Sequence, residues 1–242
     1  MSASQIKSFR KCPAATMAEL RGEWSRPQTT ALLVGSYVDT MLTESKRKQE
    51  AFFIEHPEMF KKSGELLKIF DVANRMVEKA KGDPMFFEYV KRGVHQKILT
   101  GTLCGVPFKA KMDTYLPGER IVDLKTTASI TEPVYVKGKG KLTFAEAFDY
   151  PMQMALYQLL EGNALPTYLA VISKEEEPDI AVIQITQDEL DFEIEQLMSE
   201  IPYYDAIKQG LIEPPHCGHC AYCRSVKKVD HPITLEELRE FI

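Results

Sequence analysis

The spacing of apolar residues predicts helices over the first ninety residues. Across Thr30–Glu44 apolar side chains return every three or four positions, which places them on one face of a helix. The same period covers residues 64–81, and the sequence Gly82-Asp83-Pro84 ends that helix. Ser4 and Pro13 occupy positions typical of helix starts, so we expect two shorter helices before residue 22.

After residue 90 the pattern changes to that of β-strands. Three consecutive antiparallel strands are predicted, and short turns at Cys104-Gly105 and Pro117–Glu119 join them. These strands are Val94–Leu103, Val106–Leu116 and Arg120–Thr127.

Helices and strands alternate in the rest of the chain. Thr143 and Glu146 have the spacing of a capping box that opens a helix, Pro151 interrupts or divides this helix, and Gly162 ends it. The remaining elements are the strands Thr167–Ser173 and Ile180–Ile185 and a helix opened by a second capping box at Thr186 and Glu189.

This order of elements predicts an α/β fold with a mixed central sheet of about five strands flanked by helices. No Pro/Gly/Ser-rich linker interrupts the sequence, which favours one domain over residues 1–242. Within it we expect a helical region over 1–90, a core over 91–186, and a C-terminal helix with a cysteine cluster over 187–242.

Composition excludes some classes of protein. The chain is 44% hydrophobic and 27% charged, as in globular proteins, and no apolar run approaches the ~20 residues of a membrane span. The first residues lack the apolar region of a secretory signal, so we expect a cytoplasmic protein with no membrane partner. The net charge of −5 argues against a nonspecific nucleic-acid coat but not against an enzyme with a local basic channel.

Two charged residues inside the third predicted strand indicate a site. Asp123 and Lys125 are two positions apart, so their side chains leave the same face. A three-residue turn would pair Leu116 with Arg120 and place Asp113 opposite Asp123. Two opposed carboxylates repel, and Mg²⁺ or Mn²⁺ would remove that penalty. Lys125 would then hold or deprotonate a water, or offset phosphate charge; an exposed strand face with chance charges is the alternative.

Residues 112–126, MDTYLPGERIVDLKT, resemble the core of the PD-(D/E)XK nucleases, and the RecB-like branch in particular. Gly35–Asp39 (GSYVD) falls where this branch carries Gly-x-x-x-His with a metal-binding histidine. Gln153–Tyr157 (QMALY) falls where it carries Gln-x-x-x-Tyr. The resemblance covers most of the chain, and the N-terminal stretch Ser2–Pro13 is similar to that of phage-encoded exonuclease-type members.

The resemblance implies a restriction-endonuclease-like core and a metal-dependent DNA nuclease of phage or bacterial recombination or repair, with exonuclease action favoured over endonuclease action. DNA and a phage or host recombination protein are the expected partners. The implied catalytic residues are Asp113, Asp123 and Lys125. The implied Mg²⁺ or Mn²⁺ ligands are Asp39, Asp113, Asp123 and the main-chain carbonyl of Leu124. The implied DNA-binding residues are Gln153 and Tyr157.

The sequence departs from the family pattern at two positions. Asp39 stands in place of the histidine, and His95-Gln96 stands on the first strand where many relatives carry a glutamate. A non-cleaving DNA-binding or recombination-assembly module with a degenerate site is therefore the alternative function.

The segment YVKGKGK, residues 135–141, directly follows the third strand. Its alternating Gly and Lys residues predict a flexible loop that approaches DNA phosphates closely. The lysines expected to make these contacts are Lys137, Lys139 and Lys141, and a plain solvated loop is the alternative.

Three of the five cysteines lie within seven residues: Cys217, Cys220 and Cys223. Their spacing suits an iron–sulfur cluster, for which Cys12 is the candidate fourth ligand, since Cys104 lies in a predicted sheet turn. One N-terminal and three C-terminal cysteines resemble the iron–sulfur staple of RecB-like nucleases. We therefore expect a 4Fe-4S cluster; a structural Zn²⁺, with His216 or His219 available as ligands, is the alternative.

Overall fold

The structure is a computed structural model that describes residues 1–26, 29–229 and 231–240. Main-chain contacts divide the chain into two compact units. Residues 1–3 and 29–203 belong to the first unit, and residues 4–26 with those from Tyr204 onward belong to the second. None of the helices in the described part of the chain combines the length and apolar character that a membrane span requires. The single domain over residues 1–242 stays a prediction.

Seven strands form two sheets in the first unit. They are β1 (Val94–Leu103), β2 (Val106–Leu116), β3 (Arg120–Thr127), β4 (Val134–Val136), β5 (Gly140–Leu142), β6 (Thr167–Ser173) and β7 (Ile180–Ile185). The larger sheet has the order β1-β2-β3-β6-β7, with β3 and β6 parallel and the other neighbours antiparallel. The predicted mixed sheet of five strands is confirmed.

Helices surround this sheet and make up most of the second unit. Their bounds are α1 (Ala3–Lys11), α2 (Pro13–Leu20), α3 (Thr30–Thr43), α4 (Lys46–Glu55), α5 (Lys68–Gly82), α6 (Pro84–Lys91), α7 (Phe144–Ala147), α8 (Tyr150–Glu161), α9 (Gln187–Lys208), α10 (Ala221–Val226) and α11 (Leu235–Glu240). The helix predicted over 64–81 begins only at Lys68, because Phe60 and Leu66 bridge across a turn that occupies the preceding residues.

One face of the large sheet is covered by α3, α5 and α6. Buried side chains from these helices, such as Val38 and Phe70, form a single apolar core with Val122 of β3 and Ile172 of β6. Gly35 marks the close approach of α3 to the sheet, since a methyl group added there would lie 3.4 Å from the Thr126 hydroxyl. The small residue in GSYVD thus lets α3 pack against β3.

The chain crosses from β3 to β6 through α7 and α8. The predicted capping box is confirmed, since the Glu146 N–H donates to Thr143 Oγ1 and the Thr143 N–H donates to Glu146 Oε2. Asp149, in the left-handed region at φ 50°, breaks the helix just before Pro151. Pro151 thus marks the point at which the predicted helix divides in two.

The YVKGKGK segment is not a loop, and the prediction was wrong on this point. Val134–Val136 and Gly140–Leu142 pair as an antiparallel hairpin. Gly138 and Gly140 have φ near +80°, a conformation that glycine adopts at little cost. The glycines that indicated flexibility instead make the tight turn of a hairpin.

The second unit contains α1, α2 and the cysteine-rich segment. Phe9 of α1 is buried and stacks on Tyr204, with ring centroids 5.0 Å apart. The Ala14 N–H at the start of α2 donates to the carbonyl of Pro215. These contacts join an N-terminal and a C-terminal segment of the chain within one unit.

Candidate functional site

The main-chain pairing of β2 is interrupted on both sides at Asp113. On the β3 side the predicted pairing of Leu116 with Arg120 is confirmed, but the described register ends at Thr114. On the β1 side Gln96 lies opposite Asp113, and this pair is missing from a register that is otherwise continuous. Asp113 therefore stands at a gap in the sheet, where main-chain pairing with both neighbouring strands is interrupted.

Amide groups hold the Asp113 carboxylate at this gap. The main-chain N–H of Leu124 donates to Asp113 Oδ2 over 3.0 Å, and Gln96 Nε2 donates to Oδ1 over 3.4 Å. Burial, and next the negative charge of Asp123, raises the pKa of Asp113 to about 8. A cation beside the two carboxylates would offset both effects and favour their charged forms.

Asp123 is 1% exposed and forms an ion pair with Lys125 through Oδ2. In the described chain the Lys125 ammonium is the partner of that oxygen. The Lys125 ammonium also lies 4.9 Å from the centroid of the Tyr150 ring. Burial opposes the charge of Lys125, but the Asp123 and Asp113 carboxylates outweigh it, so the pKa of Lys125 is raised. This environment suits Lys125 to offsetting negative charge more than to removing a proton.

Helix α3 brings Asp39 to the same cluster. Its Oδ2 accepts a hydrogen bond from Gln96 Nε2 over 3.3 Å, and Thr43 Oγ1 donates to its main-chain oxygen. Burial raises the pKa of Asp39, and the charge of Asp39 in turn contributes to the raised pKa of Asp113. The residue at the family's histidine position thus lies beside the strand carboxylates.

Helix α8 supports the site from another direction. Gln153 Nε2 donates to Asp123 Oδ1 over 2.9 Å and to the Tyr157 hydroxyl over 2.8 Å. The Tyr157 hydroxyl donates to the main-chain oxygen of Lys111 in β2, and Tyr157 is only 5% exposed. The DNA contacts of Gln153 and Tyr157 stay predictions; in the structure this pair links α8 to Asp123 and to β2.

Sequence reasoning missed two neighbours of these residues. Gln96 was noted only as a departure from the family, yet its amide contacts both Asp39 and Asp113. Tyr150 is the second, since the Lys125 ammonium lies over its ring. The hairpin register that paired Asp113 with Asp123, extended to β1, would have placed Gln96 opposite Asp113.

The donor set fits a hard divalent cation. The carboxylates of Asp39 and Asp123 lie close enough to raise the pKa of Asp113, the Lys125 ammonium contacts Asp123, and Mg²⁺ and Mn²⁺ prefer such oxygen ligands. The buried Asp123 Oδ2 already contacts one cation, the Lys125 ammonium, yet the pKa of Asp113 stays raised, so the carboxylates carry more negative charge than that one ammonium offsets. The carbonyl of Leu124 as a further ligand stays a prediction.

The β4–β5 hairpin carries three exposed lysines: Lys137, Lys139 and Lys141. Lys141 pairs with Tyr135 across the hairpin, and Tyr135 is 73% exposed. The side chains of Val134, Val136 and Leu142 in this hairpin are partly buried. Contact of the lysines with DNA stays a prediction, to which the structure adds an exposed aromatic ring.

Four cysteines come together in the second unit. The sulfur atoms of Cys12, Cys217, Cys220 and Cys223 all lie within 4.8 Å of one another. Cys104 is exposed in the turn between β1 and β2 and is not part of this group. The four thiols predicted from the sequence therefore form a group that could hold a metal.

The distances between these sulfurs match a single ion. Four thiolates at about 2.3 Å from one tetrahedral Zn²⁺ lie about 3.8 Å from each other. Cys12 Sγ is 3.5 Å and Cys217 Sγ is 3.8 Å from Cys223 Sγ. A four-iron cluster places a separate iron at each thiolate and needs a wider set. The geometry favours zinc, the alternative in the sequence analysis.

Main-chain amides surround the thiols as they do in metal–thiolate centres. The Ala15 N–H donates to Cys12 Sγ, the Cys220 N–H to Cys217 Sγ and the Cys223 N–H to Cys220 Sγ. Burial opposes the thiolate of Cys217, but main-chain amides outweigh it and lower the pKa of Cys217 to about 6. At Cys217 this environment favours the anion that a metal ligand must become, whereas burial raises the pKa of Cys220 and Cys223 when no metal is bound.

The two nearby histidines are held in other ways. His216 Nδ1 lies 3.4 Å from Cys223 Sγ, and its ring stacks on Tyr222. His219 Nδ1 lies 2.7 Å from the main-chain oxygen of Cys217. Neither histidine is needed to complete a set of four sulfur ligands.

The mixed sheet and the carboxylates at its gap define a PD-(D/E)XK-like domain. The chain belongs to the family described as a PDDEXK-like domain of unknown function (DUF3799), whose model matches residues 2–226. The resemblance seen in the sequence is thereby confirmed.

Solved structures include relatives of this chain. A candidate exonuclease from Eubacterium rectale is 36% identical, with a TM-score of 0.92 over 100% of this chain and 93% of that one. A phage-related exonuclease from Haemophilus somnus is 14% identical, with a TM-score of 0.36 over 74% of this chain and 95% of that one. No match was found among curated proteins.

Proposed function

We propose that this protein is a DNA nuclease that depends on Mg²⁺ or Mn²⁺. The observation that carries the proposal is the meeting of Asp39, Asp113 and Asp123 with the Lys125 ammonium at a gap in the sheet. Buried like charges cost free energy, and a fold that keeps them together fits a bound cation better than a structural role.

The roles of the residues follow from their contacts. The three carboxylates and the Leu124 carbonyl would hold the ion, which would supply an activated water and stabilise charge on the phosphate. Lys125 stays protonated and offsets the negative charge that develops on the phosphate oxygens. Gln153 keeps Asp123 in place from α8. The reaction is hydrolysis of a phosphodiester bond by water.

The hairpin supplies a surface for the substrate. Its exposed lysines would neutralise backbone phosphates, and the exposed Tyr135 ring would stack on an unpaired base. We further propose exonuclease action in phage or bacterial recombination or repair. The description of the Eubacterium rectale relative as a candidate exonuclease supports this finer proposal.

We propose that the four cysteines hold a structural Zn²⁺. The short distances between their sulfurs support a single tetrahedral ion over the 4Fe-4S cluster expected from the sequence. Such an ion would stabilise the second unit by joining Cys12 to a segment more than two hundred residues away in the sequence.

A second function has one observation in its favour. Asp39 and Gln96 replace residues that the related nucleases carry at those positions. A domain that binds DNA or a recombination partner without cleaving it would tolerate such changes.

A cleavage assay separates the two functions. End-labelled linear single- and double-stranded DNA and closed circular DNA are incubated with the protein and Mn²⁺ or Mg²⁺. We expect degradation of the linear substrates, a loss of at least about 100-fold in Asp123→Ala and Lys125→Met, and little change in the exposed control Asp188→Ala. DNA binding without metal-dependent cleavage by the wild type would select the non-cleaving module.

A further inference from the structure

Gln96 has an unusual main-chain conformation in the middle of β1. Its φ of 54° lies in the left-handed region, which a residue with a side chain adopts at a cost. The flanking positions are in register, with His95 opposite Thr114 and Lys97 opposite Met112. The kink is therefore confined to one residue, the one that lies opposite Asp113.

The residues beside the kink are fixed by side-chain contacts. His95 Nδ1 lies 3.2 Å from the Thr114 hydroxyl, and His95 Nε2 lies 3.0 Å from the main-chain oxygen of Lys91. Main-chain pairing resumes directly after Gln96. The direction of the Gln96 side chain is thus set by its anchored neighbours.

The Gln96 amide bridges two acidic side chains from different elements. Nε2 lies 3.3 Å from Asp39 Oδ2 on α3 and 3.4 Å from Asp113 Oδ1 on β2. One amide nitrogen carries two hydrogens, so it can donate to both carboxylates at once. A neutral donor between two anions reduces their repulsion without adding a charge.

We infer that Gln96 is a positioning residue that holds Asp39 against Asp113 and so completes the divalent-metal site. This inference rests on the proposed function and deepens it. Asp39 is the only one of the three carboxylates that comes from outside the sheet, and its predicted ligand role depends on its orientation toward Asp113. The amide of Gln96 holds Oδ2 of Asp39 toward Asp113, while the Thr43 hydroxyl donates to Oδ1 over 3.4 Å from within α3.

The experiment measures Mn²⁺ binding to the full-length protein by calorimetry and by the electron paramagnetic resonance of free Mn²⁺. Gln96→Met keeps the length of the side chain and removes both hydrogen bonds. Gln96→Gly removes the side chain and also relieves the left-handed main chain. Gln184→Met makes the same chemical change at an exposed position of β7 and is the matched control.

Loss of a group that orients metal ligands typically weakens metal affinity by about 10- to 100-fold. We expect the dissociation constant for Mn²⁺ to rise at least about 10-fold in Gln96→Met and Gln96→Gly, and to stay within about twofold in Gln184→Met. In an Asp39→Ala background, Gln96→Met should cost less than about threefold, because one of its two acceptors is gone. Melting curves in EDTA show whether each variant is folded before its affinity is compared.

An unchanged dissociation constant for Mn²⁺ in Gln96→Met would overturn the inference. So would a rise in that constant that is as large in the Asp39→Ala background as in the wild type. DNA cleavage is measured on the same samples, so the two proposals can fail separately. A wild type that binds Mn²⁺ through Gln96 but leaves DNA intact refutes the nuclease and keeps the inference. If the wild type cleaves DNA and Gln96→Met binds Mn²⁺ with normal affinity, the nuclease proposal stands and the inference about Gln96 is refuted. Absence of Mn²⁺ binding in the wild type overturns both.

Discussion

The side-chain amide of Gln153 donates a hydrogen bond to Asp123 Oδ1 over 2.9 Å. The same nitrogen donates to the Tyr157 hydroxyl, which donates in turn to Lys111 of β2. Through this chain of contacts, α8 orients the most buried carboxylate of the site and is itself fixed to the sheet.

Replacing Gln153 with Leu should therefore reduce cleavage by about 10- to 100-fold and raise the Mn²⁺ concentration needed for half-maximal rate. Tyr157→Phe should have a smaller effect, because it leaves the hydrogen bond from Gln153 to Asp123 in place. Initial rates measured against Mn²⁺ concentration test both, with Gln184→Leu on the exposed face of β7 as the control. Equal defects in Gln153→Leu and Gln184→Leu would contradict the positioning role.

The carboxylate of Asp39 should destabilise the metal-free protein. Asp39→Asn removes the charge of one of three neighbouring carboxylates while keeping an oxygen for the Gln96 amide. We expect a higher melting temperature than the wild type in EDTA. With Mn²⁺ at a hundred times its dissociation constant, the wild type should gain about 2.7 kcal/mol in its free energy of unfolding, and Asp39→Asn should gain less.

Differential scanning calorimetry in EDTA and in Mn²⁺ measures both effects. Asp188→Asn makes the same substitution at an exposed position in the first turn of α9, and it should shift the melting temperature equally in EDTA and in Mn²⁺. A lower melting temperature for Asp39→Asn in EDTA, with full stabilisation by Mn²⁺, would show that the carboxylate has a purely structural role.

The four-cysteine group should contain one zinc per chain. Cys12→Ser and Cys220→Ser should each lose most of the bound metal and unfold at lower temperature, since structural zinc contributes directly to folding. Cys104→Ser, in the β1–β2 turn, should keep the zinc. Mass spectrometry on protein purified without oxygen measures how much zinc the wild type and each variant contain. Iron and sulfide in equal amounts, with a brown colour, would instead establish the cluster expected from the sequence.

The hairpin lysines should govern the salt dependence of DNA binding. Removing one lysine–phosphate pair lowers the slope of log affinity against log salt by about 0.7 to 0.9, so Lys139→Ala with Lys141→Ala should lower it by roughly 1.5. Anisotropy titrations of labelled DNA at several salt concentrations measure this slope. The exposed Lys79→Ala on α5 is the control, and an unchanged slope in the double variant would remove the hairpin from the DNA surface.

Tyr135 tests whether the hairpin prefers unpaired bases. Stacking on one base contributes about 1 to 3 kcal/mol, so Tyr135→Ala should weaken binding to single-stranded DNA by about 10-fold. Binding to blunt duplex DNA should change little, because its bases are already stacked. An equal loss for both substrates would indicate that Tyr135 supports the hairpin and does not contact bases.

The local signals in the sequence determined most of the fold. The five strands of the large sheet have the bounds predicted from alternation and turn residues, because Gly and Pro punctuate the chain where the strands end. Asp113 and Asp123 were recognisable because the Pro117–Glu119 turn fixes the hairpin register. Glycine was misleading in YVKGKGK, because glycine occurs in a tight turn as readily as in a flexible loop.

Tertiary structure decided how the elements meet, which no local pattern encodes. Asp39 comes from α3 and Gln153 from α8, and their contacts depend on how both helices pack on the sheet. The spacing of three cysteines indicated a metal centre. The choice between a single ion and a four-iron cluster depends on the distances between all four sulfurs, including that of Cys12, which only the folded chain shows. Gln96 looked like a lost carboxylate in the sequence; its bridging amide appears only when β1, β2 and α3 are assembled, since hydrogen bonds depend on distance and direction in space and not on separation along the chain.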